Sequence, residues 1–299
     1  MASGIVADKL TKRYTHGQPP ALDGLSFDIN GGEVYGFLGA NGAGKSTAIR
    51  LLMNFLQPTS GSATIMGLDS VKDSVEAKKH TGYLAGDVAL PLKVTGDELL
   101  DYLGSLHGRI HAEYRHVLEK RFEAEIHKPI ASLSKGNRQK IGILQAFMHQ
   151  PDVLILDEPT SGLDPLMQEA FYDTIREARE RGASVLMSSH NLAEAQRICD
   201  RIGIIKHGKL IREQTVSEFT SLTKPTFTVT FKNHASVNAI KSQKAVRVMQ
   251  QTDTNTLKLQ PTGEIAPALA ALANHSIVSM TSQAGDLEDE FLEFYGDNK

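Results

Sequence analysis

The sequence predicts a layered α/β fold with a mainly parallel sheet, interrupted by a helical insertion and followed by a small α+β domain. Three observations carry that expectation. Short apolar runs ("EVYGFLG", "TGYL", "DVLILDE" and "ASVLMSSH") recur between helical patterns, the alternation that builds a parallel sheet. One of them leads straight into glycines and a helix start, "GANGAGKST". Near Thr215 the rhythm changes to a period of two, and "TFTVTF" places Phe227, Val229 and Phe231 on one face.

Residues 1–32 read as β-rich: "GIVADKLTKRY" and "LDGLSFDI" are short strands, and "INGG" turns the chain into the next run. "EVYGFLG" is a buried strand, with a helix beginning near Lys45. From about residue 88 to 150, polar helices such as "GDELLDYLGSLHG" break the strand rhythm and form the insertion. Beyond Thr215, "AVRVMQQ" and "NTLKLQ" pair with "TFTVTF", "EIAPALAALANH" is helical and "SIVSMTS" is a strand. The terminal "DLEDEFLEFYG" predicts a helix with Leu287, Phe291 and Tyr295 along one stripe.

A length of 299 residues accommodates roughly two domains. The net charge of −3 and the lack of a basic tail give no reason to expect a nucleic-acid partner. Cys199 is the single cysteine, which excludes an intrachain disulfide and suits a reducing cytosol. The opening "MASGIVADKLTKRY" lacks the apolar core of a signal peptide, and no stretch approaches the roughly 20 apolar residues of a membrane span. A membrane role would require a separate chain.

"GANGAGKST" matches G-x-x-x-x-G-K-[ST], with Gly39, Gly44, Lys45 and Ser46 at the fixed positions. Glycines admit backbone angles that turn successive N–H groups inward on a polyphosphate, and the following helix adds its positive end. Lys45 is expected to reach the β- and γ-phosphates, and the Ser46 hydroxyl to ligate Mg²⁺. Asn41, Gly42 and Thr47 complete the candidate cradle. A plain glycine turn before a helix would share the composition, but the preceding strand favours the cradle.

"VLILDEPT" supplies the complement. Successive strand side chains face opposite ways, so Asp157 and Glu158 are free to do different jobs. Asp157 is expected to hold the metal, directly or through a water, and Glu158 to orient and deprotonate an attacking water. Upstream, "SLSKGNRQK" offers Ser134 as a helix N-cap, with Gly136 exposed behind it and Ile141, Leu144 and Met148 at helical spacing.

Taken together, "GANGAGKST", "LSKGN", "VLILDEP", "SGLD" and the histidine of "SSHN" resemble, in order, the motifs of the nucleotide-binding domain of ATP-binding-cassette (ABC) proteins, over about residues 5–215. The resemblance implies a P-loop NTPase cassette at residues 1–215, with an antiparallel β subdomain and a helical subdomain at about 88–150, and an accessory domain at 216–299. It implies that Ser134 and Gly136 belong to a signature motif that faces the ATP held by a second copy in a head-to-tail dimer. It further implies His190 as a switch residue on the γ-phosphate, Ser161 to Asp164 as a connector between the two sites, and Tyr14 as the aromatic under adenine. ATP and Mg²⁺ are the expected ligands.

One position departs from the family pattern. Where glutamine commonly follows the "TGYL" strand, this chain has Gly86 and then Asp87; either Asp87 contacts the metal or a water takes that role. The signature also carries Lys135 and Asn137 where glycine and glutamine are commoner, a variant associated with bacterial exporters. The implied function is an ATP-hydrolysing subunit, a homodimer or paired nucleotide-binding subunit, on the cytoplasmic face of the membrane, driving a multi-span permease. A soluble cassette acting on ribosomes or nucleic acid would share the ATP motifs but commonly carries two cassettes or long coiled coils. "VALPLKV" (88–94) reads either as a permease contact or as local core.

Overall fold

Runs that are apolar on both faces must be covered on both faces, and they define the first unit of this computed structural model. The structure describes residues 3–15, 17–107, 111–218 and 225–283. The chain divides into two units, Met1–Val216 and Ser217–Lys299.

The first unit opens with β1 (Ser3–Lys12), β2 (Leu22–Asn30), β3 (Val34–Leu38) and helix α1 (Lys45–Leu52), and continues through β4 (Ser60–Ile65), β5 (Leu68–Asp69), α2 (Ser74–Lys79) and β6 (Thr81–Leu84). The insertion holds α3 (Gly96–His107), α4 (Ala112–Phe122), a 3₁₀ turn at Ile130–Ser132 and α5 (Lys135–Phe147). There follow β7 (Val153–Asp157), α6 (Pro165–Glu180), β8 (Ser184–Ser189), α7 (Leu192–Ile198), β9 (Arg201–Lys206) and β10 (Lys209–Thr215).

These strands form two sheets. β2-β1-β4-β5 is antiparallel throughout. The central sheet runs β10-β9-β3-β8-β7-β6, parallel except for the hairpin strand β10. Every residue of β3, β7 and β8 is buried, the signature of strands sandwiched between layers. Phe27 of the antiparallel sheet stacks on Tyr35 at 5.6 Å and meets Phe37 at the same distance, joining the two sheets through one core. Ligands of such folds bind at the carboxyl ends of parallel strands. Here β3 ends just before Gly39, β7 at Asp157 and β8 just before His190.

Within the insertion, the buried Arg115 pairs with Asp97 and Asp101 of α3 and, at 2.7 Å, with Glu119 of its own helix. That cluster ties α3 to α4, and Arg121–Glu177 at 2.6 Å ties α4 to α6. Ser134 caps α5 as read from the sequence, accepting the Asn137 N–H at 3.2 Å.

The second unit reads β11 (Thr226–Phe231), α8 (His234–Lys241), β12 (Val246–Asp253), β13 (Thr256–Pro261), α9 (Ile265–Ala273) and β14 (Ile277–Gln283). Its antiparallel sheet has the order β12-β13-β11-β14, which with the βαββαβ element sequence makes a ferredoxin-like fold. Phe227, Val229 and Phe231 are buried together with Leu257, Leu259, Ala268 and Leu272. The segment "DLEDEFLEFYG" lies outside the described residues.

Candidate functional site

The cradle forms because its glycines adopt angles closed to other residues. Gly42 has φ 81° and Gly44 φ 115°, both in the left-handed region. At Gly44 an added Cβ would lie 2.8 Å from Leu22 Cδ2 and 2.9 Å from the Ala21 carbonyl, so only glycine fits. The resulting cavity of about 170 Å³ is lined by Ala21, Ala40, Asn41, Gly42, Gly44, Lys45, Ser46, Thr47 and Glu158. Gly39 sits at the strand end, donating its N–H to the Ser189 carbonyl at 3.4 Å.

Lys45 is 5% exposed and folds back over the loop, with Nζ donating to the Gly39 carbonyl at 2.6 Å and the Ala40 carbonyl at 3.3 Å. Burial lowers its pKa, while the charges of Glu158 and Asp157 pull it back up. Glu158 Oε1 lies 3.8 Å from Lys45 Nζ and 3.3 Å from His190 Nδ1. One carboxylate oxygen is thus shared between the buried lysine and an exposed histidine at the cavity mouth.

Glu158 holds a left-handed backbone, φ 46°, which costs a non-glycine residue about 1 kcal/mol or more. Its N–H is anchored on Ser188, at 3.0 Å from Oγ and 3.2 Å from the carbonyl oxygen. Asp157, 8% exposed, accepts the Ser188 hydroxyl at 2.5 Å. The structure therefore brings Gly39, Asn41, Gly42, Gly44, Lys45, Ser46, Thr47, Asp157, Glu158 and His190 to one edge of the central sheet. Tyr14 stands at the same edge, exposed, with its hydroxyl 3.5 Å from Thr47 Oγ1 and Lys12 Nζ 5.6 Å above its ring.

Four of the singled-out residues lie outside this cradle, two of them, Ser134 and Gly136, as the head-to-tail reading requires. Ser134 and Gly136 do not reach this cradle: Ser134 caps its own helix, and a Cβ on Gly136 would meet the Gly162 carbonyl at 3.2 Å. Asp164 caps α6, accepting the Met167 N–H at 3.0 Å ahead of Pro165 at the first helical turn. Asp87 is exposed, and its carboxylate pairs with nothing among the described residues. Its neighbour Gly86 is the one that packs on Asp157, where an added Cβ would stand 3.6 Å from Oδ2.

Three polar residues that the sequence reading did not single out brace the site. Buried Gln139 of α5 donates to the Pro159 carbonyl at 2.8 Å, linking the signature helix to the loop after Glu158. Glu194, 8% exposed, accepts Thr160 Oγ1 at 2.7 Å and Ser189 Oγ at 2.5 Å, fixing the strand end beside His190. Ser188 is the third. Only Ser188 leaves a sequence signal, polarity within an apolar run; Gln139 and Glu194 lie among other polar residues and leave none.

The ABC transporter family model matches residues 22–161, which span the cradle, the signature and the acidic pair. YhcH of Bacillus subtilis (strain 168), an uncharacterized ABC transporter ATP-binding protein, is 34% identical over 93% of this chain and 92% of its own length. The chain belongs to the ABC transporter ATP-binding proteins. A second relative, the probable multidrug ABC transporter ATP-binding protein YbhF of Escherichia coli (strain K12), is 38% identical over 71% of this chain. The chain spans only 37% of the length of that relative.

Solved ABC cassettes share the architecture. An ATP-binding subunit of an ABC transporter matches with a TM-score of 0.68 and 30% identity, over 73% of this chain and 92% of its own. The cassette MJ0796, a dimer in a post-hydrolysis state bound to ADP and phosphate, matches with a TM-score of 0.63 and 26% identity over 71% and 98%. The P-loop cassette fold and its place among ABC ATP-binding subunits are thus established for residues of the first unit. Among the described residues, no helix is long and apolar enough to cross a membrane.

Proposed function

We propose that this chain binds ATP in the cradle at Gly39–Thr47, hydrolyses it between two head-to-tail copies, and drives export through a separate multi-span permease at the cytoplasmic face of the membrane. The observation that carries this reading is the shared oxygen of Glu158, held between Lys45 at 3.8 Å and His190 at 3.3 Å at the mouth of the phosphate cavity. A carboxylate there is placed to take a proton from a water approaching the γ-phosphate, and His190 to hydrogen-bond the phosphate oxygens as the bond to the leaving group lengthens. Lys45, already released from water by burial, neutralises phosphate charge where it counts most.

The donor set fits Mg²⁺: the Ser46 hydroxyl at the start of α1 and the Asp157 carboxylate at the end of β7 are hard oxygen ligands. When bound, the ion would neutralise charge on the β- and γ-phosphates. On that side Asp87, exposed and next to the Gly86 that packs on Asp157, or a water supplies the remaining ligand. Tyr14 supplies a face for adenine, and Ser134 and Gly136, turned away from their own cradle, supply donors to the ATP of the second copy. Asp164 joins the two sites through the loop that follows Glu158.

The export reading rests on similarity to the probable multidrug relative and on the exporter-type signature. The permease contact we assign to residues 88–94, where Leu92 is 55% exposed while Val88 packs against Gly142. Residues 216–299 act as an accessory domain.

ATPase assays test the chemistry. Glu158→Gln should keep ATP binding and lower kcat by about 10²–10⁴, the range for losing a general base. Parental turnover by that variant would remove Glu158 from its role. Affinity capture from solubilised membranes tests the partner: a multi-span protein is the expected companion, whereas recovery of ribosomes would replace export with the soluble alternative.

A further inference from the structure

We propose that Ser188 is a positioning residue of the hydrolytic site, one hydroxyl that sets the metal-side carboxylate and the base-side backbone together. The inference rests on the roles given above to Asp157 and Glu158. Ser188 lies in β8 directly opposite Asp157 of β7 and is wholly buried, in a strand where the preceding Val185, Leu186 and Met187 are core. A hydroxyl in that setting needs partners, and Ser188 has two.

A serine hydroxyl carries one hydrogen and two lone pairs. The hydrogen goes to Asp157 Oδ1 at 2.5 Å, which fixes the rotor. A lone pair then receives the Glu158 N–H at 3.0 Å. On the Asp157 side, engaging Oδ1 sets the carboxylate plane and leaves Oδ2 on the side of Gly86, where an added Cβ would stand 3.6 Å from it. On the Glu158 side, the bond clamps a residue whose φ of 46° is unfavourable without such anchoring. Loss of the hydroxyl frees Asp157 to rotate away from a metal and leaves the Glu158 N–H on the Ser188 carbonyl alone, at 3.2 Å, which loosens the hold on its carboxylate between Lys45 and His190. Partners one step removed from a metal commonly change affinity or activity by about 10–100-fold when deleted.

The test uses the full chain and the variants Ser188→Ala and Ser188→Thr. Binding of a fluorescent ATP analogue is followed as Mg²⁺ is titrated, and steady-state kcat and KM are measured beside it. Ser188→Ala should move the Mg²⁺ midpoint for tight binding up by about tenfold and lower kcat by about 10–100-fold, with KM for ATP little changed. Ser188→Thr, which keeps the hydroxyl, should stay near the parental midpoint. In an Asp157→Asn background, Ser188→Ala should add no further shift in midpoint, because no carboxylate is left at the metal for the hydroxyl to orient.

Parental kcat and midpoint in Ser188→Ala would overturn the proposal, as would a full additional shift on Asp157→Asn. If Ser188→Ala does not fold, Ser188→Thr decides: a displaced midpoint there overturns the hydroxyl's role, and a parental one supports it. Asp157→Asn alone separates the two levels. Should it leave the midpoint in place, the metal role of Asp157 fails; should it shift the midpoint while Ser188→Ala does not, only the role of Ser188 fails.

Discussion

Lys45 shows how a single side chain is prepared before its ligand arrives. Its ammonium is nearly out of water, and the Gly39 and Ala40 carbonyls with the Glu158 carboxylate replace the hydration it has lost. Desolvation pushes its pKa down, and the acidic pair opposes that push, so the charge is held by neighbours rather than by solvent. Lys45→Ala is expected to weaken binding of a fluorescent ATP analogue by about tenfold or more, as for a lost charge-assisted contact; an unchanged titration would take the lysine out of phosphate capture. Lys45, Ser46, Asp157 and Glu158 could be singled out from their types and spacing, and His190 from the family resemblance; the fold gathers all five at one edge of the central sheet. Ser188 could not be singled out, since one hydroxyl at the end of "SVLMSS" looks like the frayed end of an apolar strand until the facing strand is known. Nor could spacing say that Gly86 rather than Asp87 packs on Asp157, because that depends on which way the chain leaves β6.

Among elements, legibility followed burial. β3, β7 and β8 are apolar at nearly every position and announce themselves, whereas β4 ("SGSATI") and β10 ("KLIREQT") are half exposed, and their composition resembles loops. α8 has only eight residues, with Val237 and Ile240 as its buried apolar pair, too short a period to be read. A further contact invisible in the sequence joins two helix ends. His107 at the end of α3 stacks on His149 just past α5, ring centroids 3.9 Å apart and 17° from parallel. Burial, and then the charge of His107, push His149 from 6.5 down to about 4; burial lowers His107 as well. Both pKa values are depressed by folding, so between roughly pH 6.5 and 4 the unfolded chain binds protons that the folded chain refuses. Stability should therefore fall as the pH drops through that window, by on the order of 2 kcal/mol for His149 between pH 6.5 and 5. Urea melts at pH 7 and pH 5 would measure it, and His149→Phe, which keeps a stacking ring without a proton site, should flatten the slope. An equally steep loss in that variant would mean that other groups govern the acid side.

At the scale of the whole molecule, the proposed function makes the cradle one half of a clamp. Lys45, Glu158 and His190 approach the phosphate cavity from one side, while α5, whose N-terminus carries Ser134 and Gly136, directs them elsewhere and leaves Ser134 exposed. A helix N-terminus offers backbone donors and partial positive charge, so a second copy can close the open side of the nucleotide. Driving such closure from 1:99 to 99:1 takes about 5.5 kcal/mol of differential binding, and ATP must supply it through contacts that ADP lacks. A paired substitution tests this directly. Asn41→Cys on the exposed rim of the cradle and Ser134→Cys at the signature, placed in separate copies, can form a crosslink only between chains. The native Cys199 is buried, and its pKa is raised by that burial, so it stays silent toward a short bismaleimide. In the Glu158→Gln background, where bound ATP persists, the mixed copies should give a crosslinked dimer with ATP and Mg²⁺ and little with ADP or without nucleotide. Equal yields in all three conditions would show that the γ-phosphate does not drive closure. No crosslink in any of them would show that the signature of one copy never meets the cradle of the other, and the clamp would have to be assembled some other way.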